Sequence, residues 1–170
     1  MGYARIEINP TISTDQYAAK DVLFALTSFE LPSKSCKLIS AWAFEKGSAA
    51  SDNDHINLYF FRDNTTELGT VNGTANITAD LFQANKPLGV IGLTHETDRI
   101  DDEISNIHYY HHMPTTLTGS ARTVPNLTIA LQGDTGTGVG NTCYVSGIQK
   151  VGTPTYAATD DIVIVLSVEY

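Results

Sequence analysis

His55-Ile56-Asn57-Leu58-Tyr59-Phe60-Phe61 carries the clearest pattern in the chain. Ile56, Leu58 and Phe60 fall on one side of an extended backbone, with His55, Asn57 and Tyr59 on the other. Successive Cβ atoms lie on opposite sides of a pleat, so a period of two is what a strand with one buried face requires. Similar runs fill the chain on either side of this one, and no catalytic cluster accompanies them. A chain spent on packed sheets is expected to present a surface rather than to perform chemistry.

Working outward, Ala4 to Ile8, Asp21 to Leu26, Lys37 to Lys46, Leu88 to Leu93, Ile104 to Tyr110, Asn126 to Leu131 and Thr142 to Gln149 read as strands. In the longest, Leu38, Ser40, Trp42 and Phe44 share one face, against Ile39, Ala41, Ala43 and Glu45. Strict alternation therefore assigns Trp42, Phe44, Leu58 and Phe60 to the core. Trp42→Ala is then expected to cost on the order of 3–5 kcal/mol. The last run, Ile162 to Val168, is apolar on both faces, which marks a central strand. Thr78 to Asn85 is the one helix candidate, capped by Thr78 and closed by Pro87. Gly47 to Asp54, Asp63 to Asn76 and Gly133 to Asn141 are turns and loops.

Helix pairs never separate the strands, so a parallel βαβ architecture is not expected. No propeller or solenoid repeat is present. Eight or nine antiparallel strands with unequal connections predict an all-β, single-domain sandwich of jelly-roll type, ahead of an immunoglobulin-like one. Residues 1–20 read as an N-terminal arm and first strand, and residues 21–170 as the sandwich body.

The chain has 170 residues and a formal charge of −9, from ten basic and nineteen acidic side chains. One domain of this size buries roughly 70% of its unfolded surface without metal or disulfide staples. The acidic balance opposes nucleic-acid phosphates and anionic membrane surfaces alike. No apolar run reaches the roughly 20 residues a membrane-crossing helix needs. Met1 to Glu7 lacks a secretory h-region, so a cytosolic origin is expected. There Cys36 and Cys143 read as reduced core thiols, although a single bridge between them stays open.

Asp15-Gln16-Tyr17-Ala18-Ala19-Lys20-Asp21-Val22-Leu23-Phe24 resembles the Tyr-Ala-x-x-Asp-Val opening of small tailed-phage head proteins that decorate or cement the capsid. The resemblance continues in order through Lys37 to Phe44, Leu58 to Phe61, Thr142 to Ile148 and Thr155 to Ile162, and spans roughly Thr11 to Val168. It departs at Arg62-Asp63-Asn64, where those proteins carry proline. What it implies is a non-enzymatic virion protein with a jelly-roll body, trimeric in many cases and bound to the major capsid protein on the capsid exterior. The polar stretch Gly2 to Lys20, with Tyr3, Arg5, Glu7 and Asn9, is then the expected docking arm, ordering on contact. A carbohydrate- or receptor-binding module of a virion fibre is the rival, with Tyr59, Tyr109 or Tyr110 stacking on sugar rings.

The remaining candidate chemistry is sparse. In His108-Tyr109-Tyr110-His111-His112, the side chains of His108, Tyr110 and His112 share a strand face. Positions i and i+4 on a strand lie about 13 Å apart, too far for one metal to bridge. An oligomer interface formed by His108, Tyr110 and His112, loosened by acid below about pH 6, is the expectation for them. Asp98 to Glu103 lacks calcium-loop spacing and reads as a solvated acidic loop. Gly136 to Gly140 lacks the lysine and helix of a phosphate loop. Neither a Gly-x-Ser-x-Gly elbow nor a cupin-like His/Glu set is present, so no cofactor, metal or catalytic residue is expected.

Overall fold

The computed structural model describes residues 1–46, 55–94, 99–101, 107–112, 129–133 and 140–170, with backbone alone at 99–101, 107, 108, 111 and 112. The strands are β1 (Tyr3–Ile8), β2 (Val22–Glu30), β3 (Ser35–Lys46), β4 (His55–Phe61), β5 (Pro87–Leu93), β6 (Arg99–Asp101), β7 (Ile107–His112), β8 (Ala130–Gln132), β9 (Thr142–Val151) and β10 (Ile162–Glu169). The single helix, α1 (Ala79–Ala84), begins where the Thr78 hydroxyl accepts the Leu81 N–H. The turn at 47–54, residues 104–106 and 126–128, the tip at 134–139 and positions 98, 102 and 103 of the acidic run lie outside the described residues.

Two antiparallel sheets face one another. The larger runs β1-β10-β3-β7-β6, with β8 added to β3, and the smaller runs β2-β9-β4-β5. Among the eight long strands, every connection crosses between sheets except the one joining β4 to β5. Interleaved orders of this kind are those of a jelly roll, and they separate it from an immunoglobulin sandwich. β10, apolar on both faces, lies between β1 and β3 as a central strand.

The interior is built by period two. Ile56, Leu58 and Phe60 of β4 are fully buried in one core with Ile162, Ile164 and Leu166 of β10 from the other sheet. Phe29 meets Phe60 edge to face at 6.4 Å. Each such side chain contributes about 1.5–3 kcal/mol by leaving water. Cys36 and Cys143 are buried free thiols within the same core.

On β3 the alternation breaks, and that break corrects the assignment of Trp42 and Phe44 to the core. Along β3, Cys36 and Leu38 are buried, but so are Ala41, Ala43 and Glu45. The β10 register slips between Ser167, opposite Ser40, and Val168, opposite Leu38, so Ile39 is an extra residue on β3. A bulge of one residue moves every later side chain to the opposite face. Trp42 and Phe44 therefore stand half-buried on the outer face, and Glu45 points inward with its carboxylate accepting the Tyr156 hydroxyl at 2.8 Å.

The N-terminal segment is also not an arm that waits for a partner. β1 is laddered to β10 from Tyr3 to Ile8, and Ile8, Ile12 and Tyr17 are core residues. Its apolar positions, Ile6, Ile8 and Ile12, supply the burial that fixes it, so residues 1–20 are part of the body.

A pair of matching corners leads the chain into the two sheets. Tyr17-Ala18-Ala19-Lys20-Asp21 precedes β2, and Tyr156-Ala157-Ala158-Thr159-Asp160-Asp161 precedes β10. Asp21 accepts the Ala18 N–H at 2.7 Å, while Asp161 accepts the Ala157 and Ala158 N–H groups at 2.9 and 2.8 Å. Both aspartates are almost fully buried, and these bonds satisfy them there.

Candidate functional site

The two sheets treat their outer faces differently. The smaller sheet covers its own with residues 62–86. There Leu68 and Leu81 pack with Val22, Leu26, Phe61 and Ile148, and Phe82 meets Phe61 and Tyr59 edge to face at 5.2 and 5.8 Å. Buried Asn85 clasps this segment: its Oδ1 accepts from the Thr65 and Thr66 N–H groups, and its Nδ2 donates to Thr66 O.

On the larger sheet the outer face carries an aromatic ridge instead. Cross-strand register sets Glu7, Val165, Trp42 and His111 in one row, and Val163, Phe44 and Tyr109 in the next. Trp42 and Phe44 stack with centroids 6.0 Å apart and planes at 6°, and Tyr109 meets Phe44 edge to face at 5.1 Å. Beside the ridge lies an open concavity of about 290 Å³ lined by Arg5, Trp42, Phe44, Val165 and Ser167. Charged side chains flank it, with Arg5 and Glu7 paired at 3.3 Å and Lys37 and Glu169 at 3.8 Å. An apolar centre with a polar rim is the anatomy of a protein-docking surface.

Of the residues singled out from sequence, Tyr3, Arg5, Glu7 and Asn9 are all exposed, and Arg5 reaches the concavity. Leu58 and Phe60 are in the core. Tyr110 is fully buried opposite Ala43, which corrects its placement at an oligomer interface: its strand face is the inner one. His108 and His112 are defined in backbone only, opposite Glu45 and Ala41. Tyr59 packs under Phe82, so among the tyrosines considered for sugar stacking only Tyr109 belongs to the outer face of the larger sheet. Sequence reasoning missed the ridge because it missed the bulge.

Among the described residues, no group of three His, Cys, Asp or Glu side chains is placed to hold a metal ion. No helix among them is long and apolar enough to cross a membrane. Burial favours the neutral forms of both thiols and of the Tyr17 hydroxyl. Burial pushes the Cys143 thiol up to about 12, reinforced by Cys36 and Glu30 nearby, and raises that of Cys36. Burial likewise raises Tyr17 to about 12 against the opposing hydrogen bond from Ser13.

Fold and surface together define an all-β jelly-roll sandwich with an aromatic outer face. The chain matches no family model and no curated protein.

Proposed function

We propose that this chain is a non-enzymatic virion protein that binds the outer surface of a phage capsid and decorates or stabilises it. The observation that carries this reading is the Trp42–Phe44–Tyr109 ridge beside Arg5, half-buried on the outer face of the larger sheet. Aromatic residues and arginine are the side chains that dominate protein–protein hot spots. The resemblance of Thr11 to Val168 to small phage head proteins supports the choice of a capsid as partner. On a capsid many copies bind a repeating lattice, so modest contacts per copy suffice through avidity.

The ring geometry favours a protein over a glycan. A sugar needs an open aromatic face, whereas Trp42 and Phe44 turn faces toward each other and Phe44 is also engaged by Tyr109. The test is quantitative mass spectrometry of purified virions. This chain is expected at a copy number matching the capsid lattice, on the particle exterior and accessible to protease or antibody. Its absence from virions, or selective binding on a glycan array without capsid binding, would refute the reading.

A further inference from the structure

The geometry points to a second copy of this chain as the partner of the β1 edge, in a two-fold antiparallel pairing centred on Ile6. Gly2 and Tyr170 exchange both backbone hydrogen bonds, at 2.7 and 2.9 Å. Such pairs alternate along an antiparallel ladder, and the β1–β10 register runs from Tyr3 to Ile8 without a shift. Ala4, Ile6 and Ile8 therefore direct their backbone groups to β10, while the N–H and C=O of Tyr3, Arg5 and Glu7 point away from the sheet. Among the described residues β10 is the sole ladder partner of β1, which ends its sheet. An edge of this kind is a template for another strand.

Charge selects both the occupant and the register. Arg5 and Glu7 are two residues apart on the same face, with side chains 64% and 49% exposed. Pairing about Ile6 sets Arg5 opposite Glu7 of the second copy, and Glu7 opposite Arg5 of the second copy. Two reciprocal ion pairs result, with no like charges directly opposed. The same register sets Tyr3 against Asn9 and brings together the two Ile6 side chains, each half-buried at the margin of its core. Centring on Arg5 would instead oppose two arginines, so that register is disfavoured.

The two-fold axis stands perpendicular to the sheet, so the larger sheets join and both Trp42–Phe44 ridges lie on one side. A strand edge is a small contact, and the dimer is accordingly weak and concentration-dependent. The inference does not rest on the capsid reading, because self-association is measured without capsids.

Sedimentation equilibrium is expected to show a mass rising from 18.4 kDa toward twice that value with concentration. Arg5→Glu and Glu7→Arg, each opposing like charges twice, should weaken the dimer by about tenfold or more. The double swap Arg5→Glu/Glu7→Arg should restore it. Unchanged thermal midpoints in all three variants will show that their folds are intact. A monomeric mass up to about millimolar concentration would overturn the inference. So would a dimer or trimer indifferent to both reversals, or a failure of the swap to rescue.

Discussion

The rings of Tyr17 and Tyr156 meet edge to face, with centroids 5.8 Å apart and planes at 77°. Each tyrosine opens a corner closed by a buried aspartate, and each corner feeds a different sheet. Tyr17 donates to Leu23 O at 3.0 Å and accepts the Ser13 N–H at 2.6 Å, whereas Tyr156 donates to Glu45. The contact therefore joins the entries to β2 and β10 across the sandwich.

Tyr17→Phe removes bonds to two backbone groups and should cost about 1–3 kcal/mol. Tyr156→Phe strips a bond from a buried carboxylate and should cost at least as much. The two hydroxyls serve different partners, so their losses should add. Alanine at both positions should instead show a coupling of about 0.5–1.5 kcal/mol from the ring contact. Chemical denaturation of the single and double variants gives these values.

The bulge at Ile39 makes a contrast between two aromatic residues. Phe60→Ala, in the closed core, should cost about 3–5 kcal/mol. Trp42→Ala, on the outer face, should cost no more than about 2 kcal/mol. Equal losses of denaturation midpoint would place Trp42 in the core and remove the bulge from the account.

Gly147 faces the fully buried Phe24 ring so closely that an added Cβ would overlap the ring edge. Phe24 has no room to yield, so Gly147→Ala should destabilise by about 1–3 kcal/mol or more. Gly147→Ala combined with Phe24→Leu should recover part of the loss, measured by thermal melting.

Alkali should unfold the protein through its buried neutral acids. In the unfolded chain Cys143 titrates near 9.0 and Tyr17 near 10.0, but both sit at about 12 in the fold. Between those values the unfolded state releases protons that the native state keeps, so stability falls as pH rises. Thermal midpoints should hold up to about pH 9 and then decline toward about 12. Cys143→Ala should postpone the onset of that decline toward the tyrosine range. The native thiols should also react with a thiol reagent far more slowly than those of the denatured chain.

The legible part of this protein is the part that local periodicity controls. His55 to Phe61 and Ile162 to Val168 announced a buried face and a central strand, and Thr78 announced its cap. The order of strands was legible only as a class, because pairing between distant segments leaves no local mark. Lys37 to Lys46 misled for a definite reason. Charged Glu45 shares its parity with Ala41 and Ala43, so that face read as the solvent side. Its burial depends on a hydrogen bond to Tyr156, 111 residues away. The recurrence of Tyr-Ala-Ala with a following aspartate, at 17–21 and 156–161, was visible in the sequence, but its meaning lies in the contact between the two corners. The aromatic ridge was hidden with the bulge.

The most direct test is co-sedimentation of the Trp42→Ala/Phe44→Ala double variant with capsids that bind the unaltered chain. A folded variant that stays in the supernatant, while Tyr59→Ala on the covered face of the other sheet still pellets with capsids, is the predicted result. Undiminished occupancy by the folded double variant would contradict the assignment of this face to docking.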